Sequence, residues 1–264
     1  MQKIKAKIIV LFFIALGYCA PVLAQGCFED NIEEELMSDL MEVKRLQNST
    51  NQDNMDSLHA ADRKFYYFLS YQGERNPTIV DDVNRLIYQG VDFSVSDDHM
   101  CNLFSWEVYS YQGLHYRSGV LFYKTSTGIH SIQFKDGVAP FSIRTIHRGG
   151  KNVYLLFYED DYSLTGRFKM VTANVIEARF GEESFAPESF FYNSKNDSTA
   201  FLEYKYDLVS YQQPKTVPDI ILSNNRKKLS IPIVKNDGSF DGKYKDYVFE
   251  GNRFMLAQEA NKKK

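Results

Sequence analysis

Two hydrophobic periodicities divide this chain. Over residues 28–46, Ile32, Leu36, Leu40 and Val43 recur at steps of three and four, with Met37 and Met41 widening the stripe. That spacing predicts an amphipathic helix. Glu29, Asp30, Glu33, Glu34 and Glu35 crowd its first turns and Lys44 and Arg45 stand near its end, the polarity a helix dipole favours. An acidic polar face points to packing on a domain, since helices that lie on membranes carry basic ones. Residues 48–54 are polar and read as a loop. Met55, Leu58, Phe65 and Leu69 then predict a second helix that turns extended near 65–68. Asn76-Pro77-Thr78 opens a third helical segment, with Ile79, Val83, Leu86 and Ile87 on one face and Gly90 as its stop.

From Val91 onward the period is two, and turn signals recur at strand-like intervals. Strands are expected over 102–111, with Phe104, Trp106 and Val108 on one face, and over 119–124, 129–134 and 141–147. Gly149-Gly150-Lys151-Asn152 turns into 153–158, where Val153, Leu155 and Phe157 point one way and Tyr154, Leu156 and Tyr158 the other. Apolar residues on both faces mark a strand covered on both sides. A further strand is expected over 168–178, and residues 190–192 with 200–206 read as a hairpin across 193–198. In its second arm Ala200, Leu202, Tyr204 and Tyr206 face inward while Thr199, Glu203 and Lys205 face water. Segments 220–222, 229–234 and 244–249 complete the set, with Pro232 placing its strand at an edge or a bulge.

The expected fold is therefore mainly β within an α+β class: helices over 25–90 packed on an antiparallel meander or sandwich over 91–264. No Pro/Gly/Ser-rich linker separates the two parts, so they are read as one domain. Ser70-Tyr71-Gln72-Gly73 recurs as Ser110-Tyr111-Gln112-Gly113, and Ser210-Tyr211-Gln212 follows later. A forty-residue period would suit propeller blades, the alternative architecture. The surrounding residues do not align, which favours chance recurrence in a Tyr-rich chain.

The first 24 residues change the picture of where the chain works. Lys3, Lys5 and Lys7 precede an apolar run over 8–16, followed by Pro21 and Val22-Leu23-Ala24: the charged region, apolar core and small-residue cleavage site of a secretory leader. The run is shorter than the roughly 20 residues a spanning helix needs. Cleavage after Ala24 gives an exported periplasmic or extracellular protein without a transmembrane helix. A membrane-anchored lipoprotein, lipidated at Cys27 behind Gly26 and ahead of Glu29-Asp30, is the alternative. Cleavage removes three lysines and no acid, taking the formal charge from −3 to −6. The remaining basic runs, Arg226-Lys227-Lys228 and 262–264, read as solvated loop and terminus charges, so a nucleic-acid partner is not expected. Cys27 and Cys101 would remain in a compartment that permits disulfides. A bridge between them would close a loop of about 74 residues and stabilise by roughly 4 kcal/mol; two unpaired thiols are the competing reading.

Ser96-Asp97-Asp98 leading to Asn102-Leu103-Phe104-Ser105-Trp106, then Val153-Tyr154-Leu155-Leu156, form one part of a wider pattern. Its other part is Asp237-Gly238-Ser239-Phe240-Asp241-Gly242 before Tyr247-Val248-Phe249-Glu250-Gly251-Asn252-Arg253-Phe254. Together they resemble segments of secreted bacterial β-rich proteins of unknown function, over roughly residues 91–256. The resemblance implies export and a β-rich fold, and carries no catalytic residues.

The chemistry-bearing residues are sparse. Asp97, Asp98 and His99 beside Cys101 form the densest group of metal-ligand types, yet a turn with side-chain to backbone hydrogen bonds explains them. His115, His130 and His147 would meet only in a particular strand register. Asp237, Gly238 and Asp241 match late positions of a calcium loop whose early positions fall on Ile233 and Lys235, so a hairpin turn is the stronger reading. No metal or cofactor is expected. There is no Gly-x-Ser-x-Gly elbow or phosphate-cradling loop. Glu107 with Glu159 or Asp160 offers a carboxylate pair for a secreted hydrolase acting on glycan or peptide, of a kind any acidic β protein would present. The aromatic content is high, with 20 Phe, 18 Tyr and 1 Trp. Tyr suits recognition surfaces, and Trp106, Tyr109, Tyr111, Tyr116 and Tyr123 are the candidate ligand-binding cluster, against cross-strand core packing as the plain alternative. The leading expectation is a non-enzymatic envelope protein that binds a protein or glycan partner or fills a structural role.

Overall fold

The computed structural model describes residues 31–47, 54–81, 84–109, 115–134, 139–161, 168–176, 190–194, 197–199, 201–207 and 219–258. The leader segment, Cys27, Tyr111 and the later Ser-Tyr-Gln copies lie outside them.

Helix α1 spans 31–47 and buries Ile32, Leu36, Leu40, Val43 and Leu46. Met37 packs partly against the same core, whereas Met41 is 48% exposed and so falls outside the expected stripe. Helix α2, Met55–Arg75, buries Leu58, Phe65, Tyr66, Leu69 and Gly73. It runs unbroken through 65–68, where an extended turn was expected. Phe65, Leu69 and Gly73 repeat every four residues toward the sheet below, and that packing outweighs the β preference of Phe-Tyr-Tyr-Phe. Asn76 closes α2 through its amide to the Gln72 carbonyl, and Pro77 starts the next segment. That segment comprises α3 (Pro77–Asp81) and α4 (Asn84–Tyr88). Gly90, at φ +82° and bonded to the Ile87 carbonyl, ends it as expected.

Fourteen strands follow among the described residues. The first sheet has the order β1 (Val91–Val95), β2 (Cys101–Tyr109), β3 (His115–Thr125), β4 (Gly128–Phe134), all antiparallel. The second has the order β10 (Phe201–Asp207), β7 (Phe168–Ile176), β6 (Lys151–Asp161), β5 (Ser142–Arg148), also antiparallel. The third joins β11 (Ile221–Leu222), β12 (Lys228–Val234), β13 (Phe240–Glu250), β14 (Arg253–Leu256), β8 (Phe191–Ser194) and β9 (Asp197–Thr199). Its β14–β8 pair is parallel.

Three apolar cores stack these elements into four layers. Helices α1, α2 and α4 cover one face of the first sheet through Phe104, Trp106, Val108, Val120 and Phe122. The opposite face, with Cys101, Leu103, Leu121 and Tyr123, meets Ile143, Tyr154 and Leu156 of the second sheet. Val153, Leu155 and Phe157, from the other side of β6, join Leu202, Tyr204 and Tyr206 against Leu229, Ile231, Tyr247 and Phe254 of the third. The mainly β, α+β expectation holds, and β6 is covered on both faces as its pattern implied. Stacked sheets stand in place of radial propeller blades. Pro232 sits where β12 shifts register against β13, the bulge its ring demands.

The expected hairpin of 190–192 with 200–206 is corrected. β8 pairs with the short β9, and the chain then changes sheets, β10 lying against β7. The alternation of Leu202, Tyr204 and Tyr206 was legible, but a two-residue period does not name the neighbouring strand.

Candidate functional site

The aromatic cluster expected to bind ligand is divided between core and undescribed positions. Trp106 is fully buried, its ring edge-on to Phe65 at 4.8 Å, with Nε1 donating to Asp62 Oδ1 at 2.7 Å. Tyr123 is buried and stacks on His130 at 5.4 Å. Trp106 and Tyr123 therefore fill the core and form no surface platform, because their positions on β2 and β3 face the covering layers. Tyr109 pairs with His115 and Tyr116 with Val108 in the β2–β3 ladder. Cys101 is buried and carries a free thiol among the described residues, while Cys27, its possible disulfide partner, lies outside them.

A concavity among the described residues lies elsewhere. Helix α2 overhangs β4, the edge strand of the first sheet, and leaves a groove of about 680 Å³ between them. Lys64, Tyr67, Phe68, Ser70, Tyr71 and Glu74 line it from the helix, and Ser131 and Gln133 from the strand. The helical period creates this face: residues 64, 67, 71 and 74 follow one another at steps of three and four, with 68 four beyond 64. Tyr67 and Tyr71 form the rim, 51% and 53% exposed. The Arg75 guanidinium lies 3.5 Å from the Tyr71 ring centroid and covers one of its faces. At the other end Lys64 Nζ meets Asp39 Oδ1 at 2.6 Å, and this hydrogen bond raises the pKa of the ammonium.

The floor is a directed hydrogen-bond chain. Glu74 Oε1 accepts from the Ser131 amide at 2.9 Å and from the Ser131 hydroxyl at 2.6 Å. With that hydroxyl proton committed, Ser70 supplies the proton of the 2.6 Å Ser70–Ser131 contact. Ser70 in turn accepts from Gln133 Nε2 at 3.1 Å. Glu74 thereby satisfies an outward amide of an edge strand, a position that otherwise invites another strand.

Beneath the groove's helix, Asp62 joins α2 to the sheet, accepting from Trp106 Nε1 and, through Oδ2, from Ser118 Oγ at 2.7 Å. Burial raises its pKa, and the two hydrogen bonds offset only part of that.

The Asp97-Asp98-His99 group forms a turn that clamps the first two sheets together. Asp98 accepts from Ser96 Oγ at 2.6 Å, Met100 N at 3.2 Å, Asn152 Nδ2 at 2.6 Å and Tyr154 OH at 3.0 Å. Burial pushes its pKa up, but these hydrogen bonds outweigh burial and hold it below the ordinary value. Asp97 exchanges hydrogen bonds with Thr145 and pairs with Arg226 at 2.8 Å. His130 sits on β4 and His147 on β5, in different sheets, so the three histidines do not meet. Among the described residues no group of three or more His, Cys, Asp or Glu is arranged to hold a metal ion. Asp237 accepts from the Ser239 amide and hydroxyl within the β12–β13 turn.

The carboxylates weighed for hydrolysis stand on different sheets, Glu107 on β2 and Glu159 and Asp160 on β6. Glu107 faces Arg117, 3.5 Å away, and Arg117 also binds Asp92. Glu159 lies on β6 within reach of the Tyr206 hydroxyl at 3.5 Å. Neither lines the groove.

The groove residues were passed over in the sequence because α2 was expected to turn extended at 65–68, which breaks the helical face that holds Lys64, Tyr67, Phe68, Tyr71 and Glu74 together. One signal was present: Ser70-Tyr71-Gln72-Gly73. Its first copy supplies floor, rim and close approach at once, since a Cβ on Gly73 would stand 2.4 Å from the Phe122 ring. No known family, curated protein or solved structure matches this chain.

Proposed function

We propose that this is an exported, non-enzymatic envelope protein that binds its partner through the groove between α2 and β4. The leader pattern of residues 1–24 supports export to the periplasm or cell surface. The observation that carries the binding reading is the pairing of two half-exposed tyrosines with a floor already ordered by hydrogen bonds. Rigid amphipathic rings give contact area at little entropic cost, and an ordered floor needs no rearrangement on binding. Of the carboxylates that might have acted in hydrolysis, Glu107 is held in an ion pair with Arg117.

Sedimentation with isolated cell envelopes tests this. The wild-type chain is expected to pellet with the envelope, and the Tyr67→Ala/Tyr71→Ala variant to stay in the supernatant with an unchanged thermal melt. Equal pelleting of the two proteins would remove the groove from the account. The intact mass of the exported protein is expected to begin at Gln25; a diacylglycerol adduct on Cys27 would instead tether the groove to a membrane.

A further inference from the structure

Resting on the groove as the binding surface, we infer that its ligand is a neutral saccharide chain, recognised through its hydroxyl groups and the apolar faces of its rings. The groove's own chemistry selects this class. Every hydroxyl proton on the floor is already committed: Ser70 to Ser131, and Ser131 to Glu74. Among the described residues the groove leaves both kinds of group to a ligand: Glu74 Oε2 and Gln133 Oε1 as acceptors, the Tyr71 hydroxyl and the second Gln133 amide proton as donors. A ligand that donates and accepts in alternation fits that set, and a polyol does so at regular spacing. An anionic ligand would meet the Glu74 carboxylate unfavourably, and the charge of the nearest ammonium, Lys64, is already partly balanced by Asp39.

The rim supplies the second half of sugar recognition. Tyr67 and Tyr71 stand one helical turn apart, about 5–6 Å between Cβ atoms, on the order of one sugar ring. Arg75 covers one face of Tyr71 and fixes the ring, leaving the other face for an apolar sugar surface. The volume, about 680 Å³, lies inside the range of small-ligand sites, roughly 300–1,000 Å³. An extended peptide is the rival occupant of an edge strand. It would need the outward amide of Ser131, and Glu74 holds that amide at 2.9 Å.

Isothermal titration of the mature chain with the β-1,4-linked tetrasaccharides of glucose and of N-acetylglucosamine tests the inference. Saturable binding of at least one is expected, weakened roughly five- to tenfold by Tyr67→Ala or Tyr71→Ala and also by Gln133→Ala, with folding monitored by circular dichroism. Absence of saturable binding to both, or binding that all three variants leave unchanged, would overturn it. The broader reading is separable from this one. If neither tetrasaccharide binds, yet tyrosine-dependent sedimentation persists and is abolished by protease treatment of the envelope, the ligand is a protein and only the saccharide inference falls. If that sedimentation is also absent, both fall.

Discussion

Asp62 occupies a position on α2 that its neighbours mark as apolar: four residues after Leu58 and three before Phe65. It is tolerated there because Trp106 and Ser118 both donate to it. Asp62→Ala leaves both donors unsatisfied and is expected to destabilise by about 2 kcal/mol in denaturant melts, within the range for orphaned buried donors. Its raised pKa has a definite consequence for pH. The folded state holds this proton more tightly than the unfolded chain, so stability falls as pH rises from the ordinary aspartate value, 3.8, through the elevated folded one. Asp62→Asn is expected to remove that slope. Asp98 has the opposite sign. Its pKa is lowered in the fold, so its contribution is present above 3.8 and is lost as pH falls through the folded value. Asp98→Asn is expected to flatten the acid limb of a stability profile. If the limb is unchanged, Asp98 is not the clamp between the sheets that its hydrogen bonds from Thr145, Asn152 and Tyr154 imply.

At the scale of elements, α2 is where sequence and structure part most informatively. Leu58, Phe65 and Leu69 were legible as a helical face, but 65–68 also reads as strand, and local preference alone does not decide between them. The decision comes from β3, since Gly73 lets the helix approach until a Cβ would stand 2.4 Å from the Phe122 ring. Gly73→Ala is therefore expected to destabilise by about 1–3 kcal/mol despite its better helix propensity. Phe122→Leu in the same chain is expected to recover part of the loss, and additive costs of the two changes would refute this contact. The β6 pattern was read correctly because two apolar faces have one physical meaning, burial on both sides. The hairpin of 190–206 was not, because sheet membership depends on partners distant in sequence: β8 pairs with β14 some sixty residues on, in parallel. The groove shares that illegibility. It is made by α2 and β4 together, and neither segment alone shows an open site.

Across the whole molecule, four stacked layers leave their chemistry in unequal positions. The middle of the stack is buried and largely apolar, and Cys101 lies within it. Burial, only partly offset by hydrogen bonding with Tyr154 and Ser96, pushes its thiol up to about 12. Peptide-level mass spectrometry is expected to find Cys101 unalkylated in the native protein and fully alkylated in denaturant; rapid native labelling would contradict the packing of the first sheet on the second. The outer layer is different, because α2 is long enough to overhang the sheet edge and so presents tyrosines and a polar floor together. This overhang is the surface proposed to bind. Hydrogen exchange of the protein with and without solubilised envelope material tests it most directly. Protection confined to residues 64–75 and 128–134 is the predicted result; unchanged exchange there, with protection at the 96–101 turn or none at all, would contradict it.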